Sequence, residues 1–147
     1  MTKEKKSTDL GNFDTVKAAE EGAGIALRHP VSGEVIMGDD EKPVEIFVVG
    51  RDSAVFRNTL RRSIERRMKN TQQKGRNAQR NLSLDETEDE AINLLAACTT
   101  GWTNNFKLDG AKFEYTSENA VSLYRRFPAF REQVDEGIAD RANFLKG

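Results

Sequence analysis

The densest run of titratable side chains is Asp85, Glu86, Glu88, Asp89 and Glu90. Paired carboxylates do general acid–base work when a cleft holds them at different pKa values. Here the acids open an apolar-periodic segment, where negative charge ordinarily faces the positive end of a helix dipole. They predict a helix start, not a catalytic pair. The single histidine, His29, precedes a proline turn and has no sequence-local partner, so it predicts a surface or turn residue. The single cysteine, Cys98, lies between Leu95 and Trp102 on an apolar face and predicts a small buried hydrophobe. One cysteine excludes an internal disulfide and a cysteine-based zinc site. No phosphate-loop pattern occurs, Gly22-Ala-Gly24 is a weak small-residue signal, and no spacing of histidines or carboxylates suggests a metal. The residues therefore predict no catalytic group, no metal and no cofactor, and a protein that is not an enzyme.

Two surfaces remain. Arg57, Arg61, Arg62, Arg66 and Arg67 form a candidate electrostatic patch. Residues 51–80 carry ten basic and two acidic groups, and residues 81–105 carry five acidic and no basic groups. Such a pair of blocks is ordinarily two helices with complementary or merely solvated faces. The sharper reading is a basic surface for a polyanion or an acidic partner segment. Phe56 is the sole aromatic residue in the basic block, so stacking on bases lacks residues and nucleic acid is a lesser alternative. The second surface is aromatic. Trp102, Phe106, Phe127 and Phe130 are the candidate partner-binding residues, because such side chains anchor interfaces, although any one of them is more often core.

The elements that must position these groups follow from periodicity. Residues 1–12 are polar and predict a flexible tail. Phe13–Gly22 predicts a short helix with Asp14 as N-cap and Gly22 as its stop. Ile25–His29, Val35–Met37 and Val44–Val49 read as three short strands in an antiparallel meander. After the Asp52-Ser53 cap, Phe56, Leu60, Ile64 and Met68 recur every four residues as one apolar stripe. Residues 69–83 are polar, weak in helix propensity, and read as a mobile segment. Ser83 or Asp85 starts a helix with the face Ala91, Leu94, Leu95, Cys98 and Trp102. Phe106–Tyr115 predicts a hairpin turning at Asp109-Gly110. A helix with the face Ala120, Leu123, Tyr124 and Phe127 follows, and Pro128 opens the last one, with Phe130, Val134, Ile138, Ala142 and Leu145 as its stripe. The expected fold is α+β: short N-terminal antiparallel strands, then a helix-rich C-terminal part with a small hairpin. Its organisation is a tail over 1–12 and one domain over 13–147, strand-rich over 13–50 and helical over 51–147.

Composition agrees with a domain that has thin helices. The chain has 147 residues, 37% of them hydrophobic and 32% charged, against a usual charged share of about 25%. The net charge of −1 excludes a histone-like protein and gives little colloidal repulsion, so self-association is permitted. The charged start predicts no secretory signal, and apolar runs as short as Ile46–Val49 predict no membrane span.

Several stretches carry a resemblance. Gly50-Arg-Asp-Ser-Ala-Val-Phe-Arg57, Leu94-Leu-Ala-Ala-Cys-Thr-Thr-Gly-Trp102, Ser117-Glu-Asn-Ala-Val-Ser-Leu-Tyr-Arg-Arg-Phe-Pro128 and Arg131–Leu145 resemble the tail assembly chaperones of long-tailed bacteriophages, in order along residues 13–145. The segment from Asn70 to Asn81 matches no feature of that family. The resemblance implies a non-enzymatic protein of the host cell cytoplasm. It would hold the tape measure protein soluble and recruit tail tube subunits during virion assembly. It also implies that the chaperone leaves the finished particle and that a frameshifted longer form exists in many phages. A structural tail or neck protein is the alternative.

Overall fold

A computed structural model describes residues 9–74 and 84–145. Five α-helices and five short strands form a mixed α+β arrangement among these residues, as the sequence predicts. The elements are α1 (Thr15–Glu21), β1 (Ala23–Ala26), β2 (Glu45–Val48), α2 (Ala54–Lys74), α3 (Leu84–Cys98), β3 (Thr99–Trp102), β4 (Lys107–Leu108), β5 (Ala111–Lys112), α4 (Ser117–Arg126) and α5 (Pro128–Ala139).

Local chemistry sets most of the boundaries. Asp14 caps α1 by accepting the Lys17 N–H at 2.9 Å. The Ser53 hydroxyl, fully buried, accepts the Phe56 N–H and caps α2. Thr116 caps α4 through the Asn119 N–H, and Pro128 takes the first turn of α5. The β4–β5 hairpin turns on Asp109 and Gly110, both at positive φ, the conformation that favours Asp-Gly here. Residues 1–8 of the expected tail lie outside the described residues, and Leu10–Phe13 form a 3₁₀ turn capped by Asp9.

The central sheet departs from the expected meander. Its order is β1-β2-β3, antiparallel throughout, and its third strand comes from after α3. The Val35–Met37 segment forms only isolated bridges, Arg28 with Val35 and Met37 with Pro43. It is pinched between two turns and too short to sustain a ladder. Consequently α3 ends at Cys98, and Trp102 sits on β3 opposite Ile46 rather than on the helix. The β-branched pair Thr99-Thr100 followed by Gly101 suits an extended backbone, and pairing with β2 satisfies it. The last stripe also shortens. Val134 and Ile138 are buried on α5, but Ala142 lies in a 3₁₀ turn, and Phe144 is the aromatic that seals that end.

One apolar core joins the two parts. Ile46 and Val48 of β2, Ile92, Leu95 and Cys98 of α3, Tyr124 of α4, and Val134 and Ile138 of α5 belong to it. At Gly137 any Cβ would meet the Ile25 side chain at 2.7 Å, so α5 reaches β1 closely only with glycine there. The Thr99 hydroxyl, also buried, donates to the Leu95 carbonyl and shares a 2.7 Å bond with the Tyr124 hydroxyl. A polar pair at the centre of an apolar core is tolerated because both groups are satisfied.

Candidate functional site

The hairpin and the α4–α5 corner bring three of the four candidate aromatic residues together. Phe106, Phe127 and Phe130 line an open hollow of about 250 Å³, with Phe113, Leu123, Leu108 and the Lys107 stem. Leu27, Ile36 and Val44 complete the wall from the strand-rich part. Phe127 and Phe130 lie 5.4 Å apart, tilted at 40°, across the break that Pro128 makes between the helices. Both are half-buried, so their rings are available from solvent.

Trp102, the fourth candidate, is buried and is absent from the rim. It stands behind the hollow. Its ring stacks on Phe106 at 4.7 Å and on Phe113 at 5.4 Å, and meets Tyr115 edge-on at 5.2 Å. Its indole N–H donates to the Phe113 carbonyl at 2.9 Å. Trp102 is therefore a positioning residue: it fixes two wall residues of the hollow and makes the aromatic wall stiff. Sequence reasoning missed Phe113, Leu27, Ile36 and Val44. The short hairpin implied a cross-strand partner for Phe106, but nothing local pointed to the strand-rich segment.

Charge at the rim is tied down. Arg126 grips Asp109 in the hairpin turn with two bonds of 2.8 and 2.9 Å, and its guanidinium lies 5.1 Å over the Phe127 ring. That pair clamps the hairpin against α4 and holds the Asp109 carboxyl below its ordinary range.

The acidic run serves architecture on a different plan from the expected one. Asp85 and Glu86 occupy the first turn of α3, as the dipole predicts. Glu88, Asp89 and Glu90 instead pair with arginines on three different helices: Arg131 of α5 at 3.1 Å, Arg125 of α4 at 2.8 Å, and Arg67 of α2. Three consecutive acids thus point to three neighbours.

The arginine patch is not one surface. Arg67 is half-buried against α3 in its pair with Glu90, while Arg57, Arg61, Arg62 and Arg66 are exposed. Arg61 bonds Asn58 and Arg62 bonds Thr59 on the same helix. The stripe Phe56, Leu60, Ile64, Met68 also fails to be a core face. Among the described side chains of α2, the half-buried ones are Phe56, Thr59, Ser63 and Arg67, and Arg67 reaches Glu90 of α3. Leu60, Ile64 and Met68 are 42, 47 and 57% exposed. The cause is geometric. A helix turns about 100° per residue, so a four-residue step advances about 40°, and three steps carry Met68 about 120° from Phe56. The α2 helix also continues through Lys74, over the first residues of the segment expected to be mobile; residues 75–83 lie outside the described residues.

The other chemical candidates stand apart. His29 is exposed in its turn, where Nδ1 accepts the Val31 and Ser32 N–H groups. Cys98 is buried in the core, and burial pushes its thiol up to about 12. A thiol held protonated in this way packs as a hydrophobe. Gly22 and Gly24 line a shallow hollow beside Phe47 with Glu20 and Glu21. Among the described residues no group of three or more histidine, cysteine or acidic side chains gathers as a metal site, and no helix is long and apolar enough to cross a membrane. Compared with protein-family models, curated proteins and solved structures, the chain matches none.

Proposed function

We propose that this α+β domain is a tail assembly chaperone of a long-tailed bacteriophage, holding apolar segments of the tape measure protein and handing them to tail tube subunits. One observation carries the reading beside the resemblance of its motifs: an open, aromatic-walled hollow backed by a rigid Trp102 stack. A hollow of about 250 Å³ is just below the roughly 300–1,000 Å³ of small-molecule sites and suits one or two apolar side chains of a peptide. Shallow capture of that kind gives weak single contacts. Repeated along a long client, weak contacts add up, yet each remains displaceable by the tube subunit. A helical client would present side chains at i, i+3 or i+4 to the Phe127–Phe130 corner.

The test is co-expression with a tape measure protein from the same genome. The expected result is a soluble, co-purifying complex that Phe130→Gln weakens while leaving the circular dichroism spectrum intact. A tape measure protein that stays insoluble and never co-purifies would remove the proposal. Stoichiometric presence of this chain in purified particles would favour a structural tail or neck protein instead.

A further inference from the structure

We infer that the outward face of α2 is a second docking surface, built for an acidic amphipathic helix of a partner protein. The inference goes beyond the chaperone reading and stands without it. Leu60, Ile64 and Met68 form an exposed apolar ribbon over two helical turns, a length that a partner helix matches with side chains at i, i+4 and i+7. Arg57 and Arg61 sit three residues before Leu60 and Ile64, which makes them direct neighbours on a helix surface. The ribbon therefore has a basic edge.

Charge selects the occupant. The α2 sequence holds five arginines and two lysines against a single glutamate, Glu65. Of the α3 acids, Glu90 pairs with Arg67 on the half-buried side of α2, and Glu88 and Asp89 pair with arginines of α5 and α4. A second copy of α2 laid on the first would oppose two strongly basic helices, which disfavours self-pairing. A polyanion such as nucleic acid would use the arginines but gain nothing from three aliphatic side chains, and among the described residues no aromatic ring stands on this face for a base to stack on. A helix with leucines along one stripe and glutamates beside it satisfies both the ribbon and its edge. Such a surface also explains why α2 turns Thr59, Ser63 and Arg67 toward its own domain and leaves its aliphatic residues outside.

The probe is a fluorescently labelled helical peptide with leucines on one stripe and flanking glutamates, titrated with the full chain by polarisation at low and high salt. Its control carries lysines in place of the glutamates. The acidic peptide is expected to bind at least about tenfold more tightly than the control, and more weakly at high salt. Ile64→Ser and Leu60→Ser are each expected to weaken binding about tenfold, and Arg61→Glu to remove its preference for the acidic peptide. Phe130→Gln, in the hollow, leaves this binding unchanged, so the two surfaces succeed or fail separately. Equal binding of the two peptides, or indifference to Ile64→Ser, overturns the inference. So does a dimer in sedimentation that Ile64→Ser dissolves, which would make the ribbon a self-association surface. Tighter binding of a single-stranded oligonucleotide that is insensitive to Ile64→Ser would make it a polyanion site and overturn it equally.

Discussion

The aromatic corner and the α2 helix solve opposite packing problems. At the corner, apolar side chains from four segments converge, and Trp102 seals the rear while Phe127 and Phe130 stay open at the front. Along α2, contact with the domain is made through Phe56, Thr59, Ser63 and Arg67, and the aliphatic residues face water. The corner draws its rigidity from buried area, which scales with the apolar surface removed from water. The α2 arm is held by Phe56 packed against the core, a capping serine at its root and an ion pair farther along. Exposed apolar residues therefore mean different things in the two places. In the corner they are the accessible edge of a core; on α2 they are a face with no core behind it.

Three measurements would break or sharpen that contrast. The largest effect belongs to the corner. Trp102→Ala removes the stack behind Phe106 and Phe113 and should cost about 3–5 kcal/mol of unfolding free energy in urea, as truncations of buried large aromatics do. A loss below about 1 kcal/mol would mean that the wall does not depend on its backing.

A smaller effect sits where α2 is rooted. Asp52 is held at the base of the helix by a bidentate Arg141 at 2.6 and 2.9 Å, with the Thr15 hydroxyl assisting, and its carboxyl is pulled from 3.8 to about 2. A carboxylate with a lowered folded-state pKa stabilises the fold above its unfolded value, and that contribution is lost as pH falls through the folded value. The stabilisation is thus complete above about pH 4 and disappears on acidification toward pH 2. Asp52→Asn should lower the urea midpoint at neutral pH and flatten its fall between pH 4 and pH 2 relative to the parent chain. Because the arginine is half-exposed, the change should be well below that for Trp102. Parallel acid curves for the two proteins would show that this pair does not anchor the arm.

The smallest effect is expected on the arm's outer face. Ile64→Ser should shift stability by no more than about 0.5 kcal/mol, the range for surface positions. A thermal melt showing a large loss would place Ile64 in a core and erase the distinction between the two regions.

Much of the fold was legible because its signals are local. Asp14, Ser53, Asp109-Gly110 and Pro128 each act on hydrogen bonds or dihedrals within a few residues, and each boundary falls where those residues put it. The candidate site was half legible. Phe106, Phe127 and Phe130 were visible as large aromatic residues near turns, whereas their joint use depends on the hairpin folding back onto the α4–α5 corner. The strand-rich contribution of Leu27, Ile36 and Val44 had no sequence signal, because those residues lie more than sixty positions from Phe106.

The acidic run and the arginines show the same limit. Sequence alone determined that complementary charge exists in adjoining blocks; tertiary structure decided that Glu88, Asp89 and Glu90 divide their attention among three helices. Sequence determined the caps, the turns, the α+β class and the presence of an apolar stripe on α2. Only tertiary structure decided that the third strand is Thr99–Trp102 and that the α2 stripe turns outward. Helix and turn signals act over a few residues of chain. Strand partnership and the face a helix buries are chosen by which distant surfaces meet, and that choice is made by the whole core at once.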